Sequence, residues 1–179
     1  MIAREDLDRV RSRVEALPDP ELPMITLGEL GVIRSAEAAG DGCVEVGFTP
    51  TFLGCPAIPA ITEAIEGVLR DCGYPDGRVR HELTPAWTPD LITPTGRDAL
   101  AAHGIAPPVD RNATGPRPGT SADIGSSGTP TSLGLGLGTP CPHCGSQDTR
   151  PHSSFGPTRC QSMLRCAECR EIFPCITAM

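Results

Sequence analysis

The chain reads as an α+β protein, a small mixed helix and sheet domain followed by a linker and a separate cysteine-rich module. Three observations predict this. Apolar residues recur at helical spacing in two stretches of the first half, alternating strand patterns lie between and after them, and two Cys-x-x-Cys loops stand near the end.

Ile2, Leu7, Val10, Val14 and Leu17 share one helical face, and Pro18 and Pro20 end that helix. Residues 32–37 and 43–49 read as strands joined by a turn at Gly40-Asp41-Gly42. In the second strand Val44, Val46 and Phe48 alternate with Glu45 and Gly47. Beyond the Gly54-Cys55-Pro56 bend, Ile58, Ile61, Ile65, Val68 and Leu69 mark a second amphipathic helix, stopped by Gly73. Residues 77–83 predict another strand with Val79, His81 and Leu83 on one face, which makes His81 a core histidine. Thr95 followed by Asp98 resembles a capping box for a short helix ending at Gly104. Trp87 follows the last strand in a proline-rich loop, as an anchor for that loop or as part of a partner surface.

Composition divides the chain at 1–110, 111–139 and 140–179. In 111–139, Gly, Pro, Ser and Thr supply 19 of 29 positions, too little apolar surface to offset ordering entropy, so a flexible tether is expected. The run Leu133-Gly-Leu-Gly-Leu-Gly138 is more apolar but belongs to the same tether. Residues 1–110 carry 9 Arg against 18 acidic residues, whereas 140–179 carry 4 against 3.

The whole chain has 179 residues, a net charge of −7 and no lysine. The acidity argues against sequence-independent nucleic-acid binding, and 3% aromatics is too few for a base-stacking platform. Without lysine there is no Schiff-base chemistry and no phosphate-gripping lysine of a nucleotide loop. Nine cysteines could mark a secreted disulfide scaffold. Their odd number, their metal-loop spacing and the lack of an apolar signal segment after Met1 point instead to a reduced, cytoplasmic protein. No run is long enough for a membrane span.

Cys141-Pro-His-Cys144 and Cys166-Ala-Glu-Cys169 are separated by 21 residues. Each turn lets two sulfurs converge on one ion, and the pair completes the tetrahedron of a structural zinc. His143 lies inside a loop whose cysteines point inward, so it is not counted as a ligand. Cys160, six residues before Cys166, is either an alternative ligand or a free thiol near the cluster. Cys43 and Cys72 read as packing residues, and Cys175 as incidental.

Cys55 joins a strand to a helix. Unpaired N–H groups and the helix dipole there would favour thiolate, the form that binds metal or attacks electrophiles. The alternative is a small buried residue in a tight bend. Upstream, Asp19-Pro20-Glu21-Leu22-Pro23 sets two carboxylates on a rigid loop, able to bind a metal, orient a cysteine or cap a helix.

Asp19-Pro20-Glu21, Leu30-Gly31 and the Thr-Pro-Thr stretch ending Gly54-Cys55-Pro56 resemble the small domain of SufT-like iron–sulfur assembly proteins, in which a reactive cysteine occupies this turn. Pro85-Ala86-Trp87-Thr88 with Gly104-Ile105-Ala106-Pro107-Pro108 is similar to the PaaD proteins of bacterial phenylacetate degradation. So are Cys141-Pro-x-Cys-Gly-Ser146, Phe155-Gly156-x-Thr158-x-Cys160 and Arg165-Cys166-x-x-Cys169-Arg170-Glu171. The resemblance spans about residues 5–110 and 140–173. The long tether and the tail Ile172-Phe173-Pro174-Cys175-Ile176 depart from the family, whose ending is more aromatic and basic.

The resemblance implies a non-catalytic subunit of the phenylacetyl-CoA epoxidase system. Cys55, Asp19 and Glu21 would handle iron or an iron–sulfur cluster in transit for components of that complex or its reductase. The tether would let the zinc module hold a partner while the acidic domain reaches the acceptor. The absence of a Glu-x-x-His di-iron pattern and of a nucleotide-binding Gly motif agrees with an assisting role. Two other classes remain: a nucleic-acid-binding zinc ribbon, and a thiol enzyme using Cys55.

Overall fold

The computed structural model describes residues 2–40, 42–107 and 139–177. The expected tether, 111–139, and its apolar run lie outside the described residues apart from Thr139. Two three-stranded sheets organise what is described.

The first sheet has the order β1 (Ile33–Ala38), β2 (Val44–Phe48), β3 (Arg78–His81). β1 and β2 form an antiparallel hairpin, and β3 adds to β2 in parallel after the crossover helix α3 (Ile58–Asp71). α1 (Arg4–Glu15) buries Val10 and Val14 against this layer, while α3 buries Ile61, Ile65, Val68 and Leu69. Facing them, Val44, Val46 and Phe48 are essentially without solvent contact. The helical and period-2 patterns therefore meet in one core, as their spacing predicts.

Between α1 and β1 lies a four-residue helix, α2 (Leu27–Leu30), that apolar periodicity does not reveal. Its capping box is complete: the Glu29 amide donates to Thr26 Oγ1 at 3.1 Å, and the Thr26 amide donates to Glu29 Oε2 at 2.9 Å. Gly31 ends α2 at φ 72°, and a Cβ there would stand 2.4 Å from the Leu91 carbonyl oxygen. Only glycine accepts both the left-handed backbone and that approach. Trp87 is buried and donates its indole N–H to the Leu30 carbonyl at 2.8 Å, so it anchors its loop to the core.

Two expectations need correction. His81 and Leu83 are exposed: β3 is a short edge strand, and His81 places its ring edge-on to Phe48 with Nε2 3.3 Å from Thr62 Oγ1. The last helix of this unit, α4 (Pro94–Ala102), is capped by Thr93 rather than Thr95, with Thr93 Oγ1 accepting from the Gly96 amide at 3.1 Å. Pro94 follows that cap at the first helical position, where its missing N–H costs nothing.

The second sheet is the antiparallel meander β4 (Thr149–Ser153), β5 (Gln161–Cys166), β6 (Ile172–Ile176). It does not stand apart from the first unit. The Ala106 amide donates to the Pro174 carbonyl at 2.8 Å, so the segment after α4 pairs with the edge of β6. Ile176 is counted in the core of the first unit, whereas Leu164, Phe173 and Cys175 pack around Ala106. The tail that departs from the family pattern is thus the part that docks the ribbon. Among the described residues, no helix is long and apolar enough to cross a membrane.

Candidate functional site

Two thiol centres occupy opposite ends of the ribbon. At one end the loops predicted from spacing come together: Sγ of Cys141 lies 3.7 Å from Sγ of Cys169, and Sγ of Cys144 lies 3.6 Å from that of Cys166. All four sulfurs fall within 4.8 Å of one another. A tetrahedral zinc with bonds of about 2.3 Å requires sulfurs about 3.8 Å apart, so the donor set fits the ion. Each loop closes with a left-handed residue after its second cysteine, Gly145 at φ 75° and Arg170 at φ 65°. Backbone amides then point at the sulfurs. Those of Cys169 and Glu168 help hold the Cys166 thiol down at about 7, the Cys169 amide contributing most. His143 lies outside this set, with its ring edge-on to Phe173 at 6.2 Å.

Cys160 is neither a ligand of that ion nor near it. It immediately precedes β5, whereas Cys166 ends the strand, a separation of about 20 Å at the usual rise per residue. Cys160 is buried, with Thr158 Oγ1 3.1 Å from its sulfur, and it lines a pocket of the first unit. Sequence reasoning found the residue but placed it at the wrong end of the ribbon. Cys175 is core packing, its thiol pushed up to about 11 by burial. Cys43 and Cys72 are half-buried; Cys72 packs against the first core and accepts from Arg13 at 3.4 Å.

The pocket around Cys55 collects the remaining predicted residues. The Cys55 amide donates to the Phe52 carbonyl at 3.1 Å, closing a turn over which Gly54 leaves room for the Phe52 ring. Arg34 steadies the start of this loop by donating to Thr49 Oγ1 at 3.0 Å. Cys55 Sγ stands 3.7 Å from Glu21 Oε2. Asp19 is buried, and its Oδ1 accepts from the amides of Glu21 and Leu22 at 2.9 and 2.8 Å. One carboxylate thus shapes the loop that aims the other at the thiol. Asp19, Glu21, Cys55 and Cys160 all line one small cavity, with Ile176 of the ribbon among its apolar walls.

The electrostatics reverse one expectation. α3 begins at Ile58, with Ala57 as N-cap, so Cys55 lies outside the first turn. Burial pushes its thiol above the ordinary value; the Ala57 amide lowers it, and Glu21, Cys160 and Asp19 raise it further. Cys160 is likewise raised, mainly by burial, and Asp19 is raised by burial against two amide donors. Burial and the neighbouring carboxylates therefore favour thiols over thiolates in this pocket. A positive charge placed among these groups would reverse that balance.

Comparison with known proteins matches each unit to a family model. The model described as PaaD zinc beta ribbon domain matches residues 126–176, and that described as iron-sulfur cluster assembly protein matches residues 7–79. The chain is similar to a putative 1,2-phenylacetyl-CoA epoxidase subunit of Escherichia coli K12, at 34% identity across 96% of this chain and 93% of that protein. Its first unit is similar to the Fe-S protein maturation auxiliary factor YitW of Bacillus subtilis, at 28% identity over 52% of this chain and 91% of that one. It is also similar to the factor SufT of Staphylococcus aureus, at 31% identity over 46% of this chain and 93% of that one.

Proposed function

Because the chain belongs to the PaaD family, to which it is related across nearly its whole length, we propose that it is an accessory subunit of a phenylacetyl-CoA epoxidase system in phenylacetate degradation. Its task is to assemble or maintain an iron or iron–sulfur centre in that system, and it makes no product of its own. Cys55 is the handling thiol, Glu21 its partner, and Asp19 the residue that shapes the carboxylate loop. Zinc in the ribbon is structural, and iron is cargo. The acceptor is a component of the epoxidase or its reductase, met in the cytoplasm.

One observation carries this reading: the 3.7 Å approach of Cys55 Sγ to Glu21 Oε2, inside a domain matched by the iron–sulfur assembly model. A thiol and a carboxylate side by side repel once both are ionised, and a cation relieves that repulsion. A hydrolytic thiol would want a general base, and among the described residues no histidine lines this cavity. The test is to coexpress the epoxidase components with the natural chain or with Cys55→Ala, then measure bound iron and epoxidase activity. Depleted iron in the components is expected with the variant. Full loading would reject the assembly role.

A further inference from the structure

We propose that the ribbon supplies the second thiolate of the iron-handling pocket, so that Cys160 and Cys55, with Glu21 and Asp19, take up a single ferrous ion at the junction of the two units. This inference rests on the iron-handling reading above and assigns its ligands.

β6 pairs with Ala106, Ile176 enters the first core, and Ile176 lines one pocket with Ile61 of α3 and with Asp19 and Glu21 of the carboxylate loop. The Thr177 amide donates to the Cys160 carbonyl at 2.9 Å, tying the Cys160 backbone to that docked tail. Cys160 is thereby walled into a cavity whose other polar residues come from the first unit. A buried free thiol among apolar neighbours alone would read as packing. Here it shares its cavity with two carboxylates and another thiol.

The donors narrow the class of occupant, and the iron-handling reading names the ion within it. Two sulfurs with carboxylate oxygen suit a borderline divalent transition ion better than magnesium or calcium, which prefer oxygen alone, or copper(I), which prefers sulfur alone. Asp19 uses Oδ1 on two amides, which leaves its second oxygen uncommitted among the described residues. The cavity is about 10 Å³, enough for a single water-sized occupant, so it fits a lone ion rather than a cluster. On uptake each thiol gives its proton to solvent, and ligation replaces it. Among the described residues the four ribbon cysteines are the one group of three or more donors that all lie within 4.8 Å of one another, whereas at the pocket the close approach is the pair Cys55 and Glu21 at 3.7 Å. The looser set at Cys55 suits cargo that must be given up again, whereas a preformed tetrahedron suits a permanent ion.

The experiment uses the full chain with its ribbon zinc-loaded, kept without oxygen. Cobalt(II) is added as a probe, and thiolate-to-cobalt absorption is followed; ferrous iron is then titrated in to displace it. The natural chain should bind one cobalt beyond its zinc and release it to ferrous iron added in excess, since such a donor set holds cobalt the more tightly. Cys160→Ser should weaken ferrous binding by about tenfold or more and reduce the thiolate band per cobalt, with zinc content unchanged. Glu21→Gln, which leaves both thiols in place, should weaken binding while keeping the band. If Cys160→Ser binds with unaltered affinity and spectrum while Cys55→Ser does not, the ribbon's part is overturned and the handling role of Cys55 stands. If neither variant changes cobalt binding, the ligand assignment is overturned, while the coexpression test still decides the assembly role.

Discussion

Burial first, and then a neighbouring carboxylate, set the reactivity of Cys55. Burial raises its thiol, and Glu21 at 3.7 Å raises it further, so the ionised fraction at neutral pH is smaller than that of a free cysteine. Iodoacetamide should accordingly modify Cys55 slowly at pH 7, with the rate climbing only as pH passes the ordinary thiol range. Glu21→Gln removes a negative charge and should shift that profile toward lower pH; mass spectrometry of the labelled peptide reads both. An unshifted profile would mean that burial alone controls the thiol. Arg170 offers a second test at this scale, since its φ of 65° repeats the role of Gly145 without a glycine. Arg170→Gly should raise thermal stability by about 1 kcal/mol, measured by calorimetry on the zinc-loaded protein.

At the scale of elements, α2 carries more than its four residues suggest. The Leu27 amide at its start donates to the Leu17 carbonyl at 2.8 Å, and the carbonyl of its last residue, Leu30, receives Trp87. Thr26→Ala removes half of the capping box and should cost about 1 kcal/mol, seen as a lower denaturation midpoint. The longer helices were legible in the sequence because α1 and α3 each present several apolar residues at period 3.6. α2 is too short for any period, and its trace was the Thr26-x-x-Glu29 signature, which a search for caps would have found. β3 misled for the opposite reason. Val79, His81 and Leu83 alternate correctly, yet alternation does not say which face of a short edge strand is covered. The zinc loops were legible because their ligands are near neighbours in sequence. Placing Cys160 required knowing that a segment beyond residue 139 folds back onto residues 19–55, and no local pattern encodes that contact.

For the whole molecule, the sequence suggested a tethered module reaching for a partner, whereas the described residues seat the ribbon on the first unit through Ala106 and Ile176. The zinc end and the Cys55 pocket then share one rigid spacer. Removing zinc with a strong chelator should loosen the ribbon, because small zinc modules draw much of their folding energy from the metal. Cys160, only 8% exposed, should then become available to alkylation while the first unit keeps its helices. Differential labelling before and after chelation checks this, with circular dichroism as the control. Cys144→Ser should imitate the chelator. Continued protection of Cys160 in either case would show that docking, not zinc, holds it.

The spacer has a parity as well as a length. Ser162, Leu164 and Cys166 share one side of β5, with Gln161 buried on the other, and an even count of steps leads from Cys166 back to Cys160 in the turn before the strand. One residue inserted between them would turn the pocket thiol away from its cavity, since neighbouring strand residues point to opposite faces. Both metal loops would remain intact, so such a variant would be fully zinc-loaded and yet deaf to iron. An insertion of two would restore the facing but overshoot the cavity by about 7 Å.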